Sequence, residues 1–539
     1  MRGTFFRRLR TGAARLFADQ RGNTLILTGA ALLPLLAIVG SSVDIGRAYM
    51  TKLRLQQACD AGVLAGRRAM AGGEYDATAR AEADKMFQHN FSENIYGSKA
   101  SLFESEPEGA SDVIGTATAI LPTTVMAIFG NEQFNLTVNC GARLEISNTD
   151  VMLVLDVTGS MAGSRLTALQ NASNLFLNTL LSADAGDGVL RVGVVPYAST
   201  ANVGQILYDA NPAWLSDTVT VPSREYYLKQ YTEQQCDRRG CQNVTVQEDW
   251  YRRTNRTFDV RSGKSPKAGV SLTFNTGRRG ANVSTVWEGC VMERATVPFG
   301  ATSAPPSGAL DMDIASVPTS GDDTKWKLFL PQFAYNRPAR SSSQAVAPDS
   351  DTQSNTSSFG DGACPAPAMK LTTMDNAGVS RFRSLIGSLQ AAGNTYHDAG
   401  MAWGARLISP NGLFADENAE AENGRPIGRH VIFMTDGDIN TPVSYYAHQG
   451  LEQAIERIGT TSSSEADRRH SNRFVQLCNR SRAEGVIVWV IGFGGTISDD
   501  VPLNACATPG KAFQAGTNEQ LENIFKSIAG QISRLRLSK

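Results

Sequence analysis

The apolar positions along this chain follow two patterns. From residue 150 onward, short runs are apolar almost without interruption: VMLVLD (151–156), RVGVVPY (191–197), HVIFMTD (430–436) and VIVWVIGF (486–493). Such runs suit strands buried on both faces. Segments with helical spacing stand between and after them, namely SRLTALQNASNLFLNTLL (164–181), RFRSLIGSLQ (381–390), DAGMAWGARLIS (398–409) and TNEQLENIFKSIAGQISRL (517–535). The alternation predicts an α/β fold, a mostly parallel sheet with helices on both faces. Ahead of it, VIGTATAIL (113–121) and FNLTVNCGARLEI (134–146) alternate with period two, so residues 90–147 read as short strands.

The N-terminal region follows neither pattern. TLILTGAALLPLLAIVGSSV (24–43) carries no charge, and about 20 residues rising ~1.5 Å each span a bilayer core. Arg2, Arg7, Arg8, Arg10, Arg15 and Arg21 precede it and are expected to hold the N-terminus in the cytoplasm. The run is longer than a signal-peptide core and lacks a clear small-residue cleavage site, so it reads as an uncleaved single-pass anchor. Everything after Asp44 then faces the periplasm or exterior. DIGRAYMTKLRLQQACDAGVLAGRRAM (44–70) has no proline and is rich in helix formers, predicting a helical stalk. Its Ala58, Gly62 and Gly66, flanked by Ala61 and Ala65, let another helix approach closely, either from the same chain or by self-association.

Residues 206–372 interrupt the α/β pattern. They are polar, contain Cys236, Cys241, Cys290 and Cys364, and include the Ser/Pro-rich ARSSSQAVAPDSDTQSNTSS (339–358). That length is excessive for a bare loop, so an irregular inserted subdomain stapled by disulfides is expected. Cys236 and Cys241, with no histidine nearby, read as a disulfide rather than a zinc site. The division is then a basic tail (1–22), membrane helix (23–45), helical stalk and small α+β region (46–147), an α/β domain in two pieces (148–205 and 373–539), and the insertion (206–372). A net charge of −1 gives no support for nucleic-acid binding. Arg238, Arg239, Arg252, Arg253, Arg256, Arg278 and Arg279 read as a solvated surface. The five histidines show no metal-ligand spacing, and His397 and His430 read as structural.

Candidate chemistry lies where the first apolar strand ends, in Asp156-Val157-Thr158-Gly159-Ser160. Ligands collect at the carboxyl ends of parallel strands. A carboxylate followed by hydroxyls two and four residues on offers hard oxygens to one point, which suits Mg²⁺. Asp436 ends a second strand, and Thr395 precedes a helix. Each also has a plainer reading: Asp156 and Ser160 as helix caps, Thr395 as another, Asp436-Gly437 as a turn. Both acids are expected on an exposed sheet edge, where their removal changes stability little.

This arrangement resembles the metal-ion-dependent adhesion site of von Willebrand factor A domains, Asp-x-Ser/Thr-x-Ser followed by a Thr and an Asp. The resemblance implies that Thr158 and Ser160 coordinate through their hydroxyls. Asp156, Thr395 and Asp436 bind directly or through water, and a partner's carboxylate takes the remaining position. It implies Mg²⁺ or another divalent cation such as Mn²⁺ or Ca²⁺. Through Arg21-Gly22-Asn23, Asp44 with Gly46-Arg47, Leu55-Gln56-Gln57-Ala58 and MAWGARLISP, nearly the whole chain is similar to TadG-like proteins of bacterial Flp (tight adherence) pilus systems. GNTLIL also resembles the membrane helix of type IV pilins, but Leu27 stands where pilins carry an acid, which argues against polymerisation as a pilin.

The expectation is a non-enzymatic, metal-dependent binding module in the bacterial inner membrane, acting in pilus assembly or anchoring through a pilus or envelope protein. The alternative is a structural envelope tether whose metal only stabilises the fold. A phosphoryl-transfer enzyme built on a nucleophilic Asp156 would carry a second acid two residues on, where Thr158 stands.

Overall fold

The computed structural model of the chain describes residues 23–70, 75–92, 94–108, 112–142, 148–182, 188–335, 346–348, 364–494 and 501–537. The arginine-rich tail, residues 143–146 of the expected last stalk strand and most of the Ser/Pro-rich stretch lie outside them. The chain forms two compact units, Met1–Leu144 and Glu145–Lys539.

The first unit is organised around one 47-residue helix, α1 (Asn23–Ala69). Its N-terminal half is long and apolar enough to cross a membrane, and Leu27, Leu35, Leu36, Ile38, Val39 and Val43 are each more than half exposed. Apolar side chains left uncovered by protein are what a lipid environment calls for. At Asp44 the helix becomes protein-covered. The Asp44 carboxylate accepts hydrogen bonds from the backbone N–H groups of Thr124 (3.0 Å), Val125 (2.8 Å) and Met126 (2.9 Å). Arg47 donates to Thr124 Oγ1 and the Tyr96 carbonyl, both at 2.9 Å. These contacts give the Asp44-x-x-Arg47 pattern a physical role: it staples the end of the apolar span to the small domain.

The small-residue stripe of α1 is closed within the chain. Helix α2 (Ala77–Asn90) lies against it, and a Cβ on Gly62 or Gly66 would stand 3.2 Å from the Ala83 carbonyl or 3.0 Å from the Ala83 Cβ. Of the two occupants considered for this face, the intramolecular helix is the one observed. Strands β1 (Lys99–Glu108), β2 (Asp112–Pro122) and β3 (Gln133–Ala142) form an antiparallel sheet in that order. Val113, Ala117, Ala119 and Leu121 of β2 are all buried, as period-two patterning requires, and a disulfide joins Cys59 of α1 to Cys140 of β3.

The second unit is built on a six-stranded sheet. In chain order its main elements are β4 (Asn148–Asp156), α3 (Ser164–Ser182), β5 (Leu190–Tyr197), the insertion strands β6 (Thr218–Asp237) and β7 (Gly240–Asp259), and β8 (Met369–Thr373). There follow α4 (Asn376–Ser388), α5 (His397–Ile408), β9 (Ile427–Thr435), α6 (Ser463–Ala483), β10 (Ile487–Phe493), β11 (Ala512–Ala515) and α7 (Asn518–Leu537). The sheet order is β8-β5-β4-β9-β10-β11, with only β8 antiparallel to its neighbour. Strand order therefore reverses between β4 and β9, the switch point at which open α/β sheets bind ligands.

Alternate residues of β4 feed two cores. Val151, Leu153 and Leu155 pack with Phe176 of α3, Phe382 of α4 and Phe525 of α7. Met152 and Val154 pack with Met401 and Trp403 of α5 and Phe474 of α6. That second core also contains Trp214, Val219, Val221, Phe258, Trp326 and Leu328, so the insertion is part of the domain core rather than a separate subdomain.

The insertion is also less irregular than expected. Strands β6 and β7 pair along their full 20 residues, with the Cys236–Cys241 disulfide at the hairpin tip. The pattern was obscured because the distal strands are polar on both faces, leaving no core-facing alternation to read. Its C-terminal boundary also shifts, since Met369–Thr373 is the sheet's edge strand. Nor are its arginines simply solvated. Arg253 is buried, and Arg256 donates to the carbonyls of Arg224 and Asn275. Two ion pairs anchor the insertion internally. Glu293 receives Arg406 of α5 at 2.8 and 3.0 Å, and Asp311 receives Arg473 of α6. Burial alone would raise the Glu293 carboxyl, but the Arg406 charge holds it below its usual range.

Candidate metal centre

Asp156 closes β4 and Asp436 immediately follows β9, placing both carboxylates at the switch point. Asp156 Oδ1 accepts the Thr158 backbone N–H at 2.9 Å, and its Oδ2 accepts the Thr435 hydroxyl at 2.7 Å. The Thr158 and Ser160 hydroxyls are 3.0 Å apart, and Ser160 donates to Asp436 Oδ1 at 2.7 Å. Asp156, Thr158, Ser160 and Asp436 are therefore linked into one cluster.

Thr395 is placed by backbone contacts. Its carbonyl accepts the Asn440 N–H at 3.0 Å, and the Gly393 carbonyl accepts the Gly159 N–H at 3.1 Å. The Gly393–Thr395 loop thus lies between the two acidic turns. Gly393 takes a positive φ of +84°, which favours glycine at that bend. The Thr395 hydroxyl makes no hydrogen bond among the described residues; its side chain is near the cluster in the chain's path but outside its bonding. Nor does Thr395 cap the next helix, whose N-cap is Tyr396, without a side-chain cap bond.

Both acids are buried, correcting the expectation of an exposed edge. Asp156 is fully buried, Asp436 is 5% exposed, and solvent reaches the cluster at Gly159 and Ser160. Asp156 is still paired with Tyr197 of β5, and the Thr435 and Tyr197 hydroxyls lie against its carboxylate. Burial, then the nearby Asp436 charge, pushes the Asp156 carboxyl up to about 6 despite the bonds from Thr158 and Thr435. Burial followed by the Asp156 charge also raises the Tyr197 phenol, whose hydroxyl lies 3.4 Å from Asp156 Oδ2.

Several supporting residues carried no sequence signal. Thr435 bridges Asp156 and, at 3.1 Å, the Nε2 of His397, whose imidazole is pushed down to about 4 by burial and is neutral at physiological pH. Gly400 leaves room for the Tyr197 ring, from which a Cβ would stand only 2.5 Å away. Arg165, the second residue of α3, donates to Asp436 Oδ2 at 2.8 Å; in the sequence it looked like any exposed helix position.

The donor set fits a hard divalent cation. Two carboxylates and two hydroxyls converge, and Arg165 supplies the cation nearest to them, on Asp436 only. The Asp156 carboxylate has no cationic side chain bonded to it, whereas Asp436 pairs with Arg165.

Two of the histidines that show no metal-ligand spacing in the sequence are brought together by the fold. His448 and His470 both point ring nitrogens at Asp398 Oδ2, at 3.2 and 2.7 Å. Three distant segments supply these residues, so no local spacing signalled them.

Residues 22–81 match the family model Tad, described as putative Flp pilus-assembly TadE/G-like. No curated protein matches the chain. Solved structures similar to it include the pilus adhesin SpaC of Lactobacillus rhamnosus GG, at 10% identity and TM-score 0.31, covering 81% of this chain and 35% of that one. The von Willebrand factor domain of the type V pili tip protein Mfa5 of Porphyromonas gingivalis matches at 11% identity and TM-score 0.31, covering 73% of this chain and 97% of that one. Proximal thread matrix protein 1 of the mussel byssus, with a zinc-occupied adhesion-site motif, matches at 11% identity and TM-score 0.26, covering 71% and 46%. The chain spans about a third of SpaC's length. The second unit has the fold class that the sequence implied, a mostly parallel sheet with helices on both faces.

Proposed function

We propose that the chain is a membrane-anchored, metal-dependent protein-binding module of a Tad-type pilus system, without enzymatic activity. One observation carries the reading: Asp156, Thr158, Ser160 and Asp436 are joined at the switch point of a sheet whose chain also carries the Tad-like segment. Asp156, Thr158, Ser160 and Asp436 would hold a divalent cation, with Thr395 on the adjoining loop. When bound, such an ion supplies an electrophilic position for an acidic side chain of the partner.

The chain's own residues orient and insulate this site. Thr435, fixed by His397, holds one oxygen of Asp156, and the Thr158 N–H holds the other. Ser160 reaches solvent while bonded to Asp436, so a partner approaches on the Gly159–Ser160 side. The α1 segment ahead of Asp44 would anchor the module as a single pass, and the arginines before residue 22 favour an N-terminus in the cytoplasm.

The burial of Asp156 favours a second reading, in which the ion chiefly braces the fold. In-cell cross-linking separates the two. Binding predicts captured pilus or envelope proteins that disappear in Asp156→Ala while the protein persists at normal level. Bracing predicts loss of the protein itself.

A further inference from the structure

We propose that Asp398, His448 and His470 form a second metal site, of the zinc type, beneath the loop that carries Thr395. Asp398 lies in the first turn of α5, His448 in the turn after β9 and His470 on α6. All three are at least 96% buried. Nε2 of His448 and Nδ1 of His470 lie 3.2 and 2.7 Å from Asp398 Oδ2, and the three donor atoms fall within 4.8 Å of one another.

Ligands about 2.0–2.1 Å from a tetrahedral ion stand roughly 3.3 Å apart, close to the His448–Asp398 separation and somewhat beyond the His470–Asp398 one. Two neutral imidazoles and one carboxylate form the His₂-carboxylate set that suits Zn²⁺ and leaves a position for water. Two ring nitrogens crowd one oxygen of Asp398, while buried Asp398 Oδ1 and His448 Nδ1 have no hydrogen-bond partner. A purely structural His-Asp-His bracket would be expected to satisfy them. Tyr396 packs edge-on against both imidazoles, at 5.3 and 5.1 Å, fixing their planes.

An ion here would hold the segment supporting the first site. Asp398 is three residues past Thr395. The His448 N–H donates to the Ser199 carbonyl at 2.8 Å, and Ser199 Oγ accepts the Asn394 N–H at 3.0 Å. The proposal does not depend on the adhesion reading, since it concerns a different donor set.

The test uses the full-length chain in detergent, stripped with chelator and loaded with Zn²⁺ or, as a spectroscopic probe, Co²⁺. Asp156→Ala/Asp436→Ala silences the sheet-edge site. That variant and the wild type are both expected to retain tightly bound Zn²⁺ at this site, and the Co²⁺ form to show the visible absorption of a four-coordinate N/O site. Adding His470→Gln or, independently, His448→Gln should abolish the retained Zn²⁺ and the Co²⁺ band. Folded wild-type chain that retains no Zn²⁺ on desalting, or unchanged retention in both histidine variants, would overturn the proposal.

Discussion

Arg165 and Asp436 form an ion pair of 2.8 Å at the mouth of the candidate metal centre, so the domain's own cation occupies one oxygen of a carboxylate that the ion would share. The guanidinium is 42% exposed and Asp436 is not, so solvent screens the pair only from one side. Arg165→Gln is therefore expected to tighten divalent-ion binding by about 5-fold, since a half-exposed ion pair contributes up to about 1 kcal/mol. Calorimetric titration with Mg²⁺ or Mn²⁺ checks this; unchanged or weaker binding contradicts it.

The elevated Asp156 carboxyl makes the stability of the metal-free domain depend on pH. Its folded-state value, about 6, lies above the ordinary 3.8, so the folded state binds the proton more tightly. That contribution is complete below the ordinary value and is lost as pH rises through about 6, a change of roughly 3 kcal/mol. Metal-free protein should therefore unfold at lower temperature at pH 7.5 than at pH 5. Asp156→Asn should flatten that slope. A wild-type melting temperature independent of pH over this range counts against the burial argument.

The bidentate Glu293–Arg406 pair locks the insertion to α5. Arg406→Ala would leave a buried carboxylate unpaired and is expected to cost about 3–5 kcal/mol, whereas the double change Glu293→Met/Arg406→Met should cost much less. Denaturant unfolding of the three proteins gives the comparison. Equal losses in single and double variants would show that the pair contributes packing rather than charge.

How far the sequence foretold this structure follows from the kind of signal each element carries. Strands β4, β5, β9 and β10 are sandwiched between helices, so their apolar runs stand out in the sequence. The edge strand β8 and the helix α6 did not stand out, because MKLTT is short and α6 is rich in arginine and serine. The paired strands β6 and β7 were hidden by their polar distal halves. Of the candidate site, Asp156, Thr158 and Ser160 were legible because they are local in sequence. The contacts of Arg165, Thr435 and the Asp398–His448–His470 cluster exist only after α3, α5 and α6 have packed.

The membrane orientation is open to a direct reading. A reporter active only in the cytoplasm, fused after Lys539, is expected to be silent, because six arginines precede the apolar span. Cytoplasmic activity would reverse the orientation and remove the oxidising setting expected for the four disulfides.

The central claim is that the ion at Asp156 and Asp436 serves partner capture. The most direct measurement is paired, on the full-length chain in detergent: recovery of envelope proteins and thermal unfolding, each with Mg²⁺ and with chelator, for wild type and Asp436→Ala. Capture should require Mg²⁺ and vanish in the variant, while the chelated domain still melts cooperatively, because the two buried cores persist without the ion. If chelator abolishes the cooperative transition while captured partners are unchanged wherever the domain remains folded, the ion is structural and the claim fails.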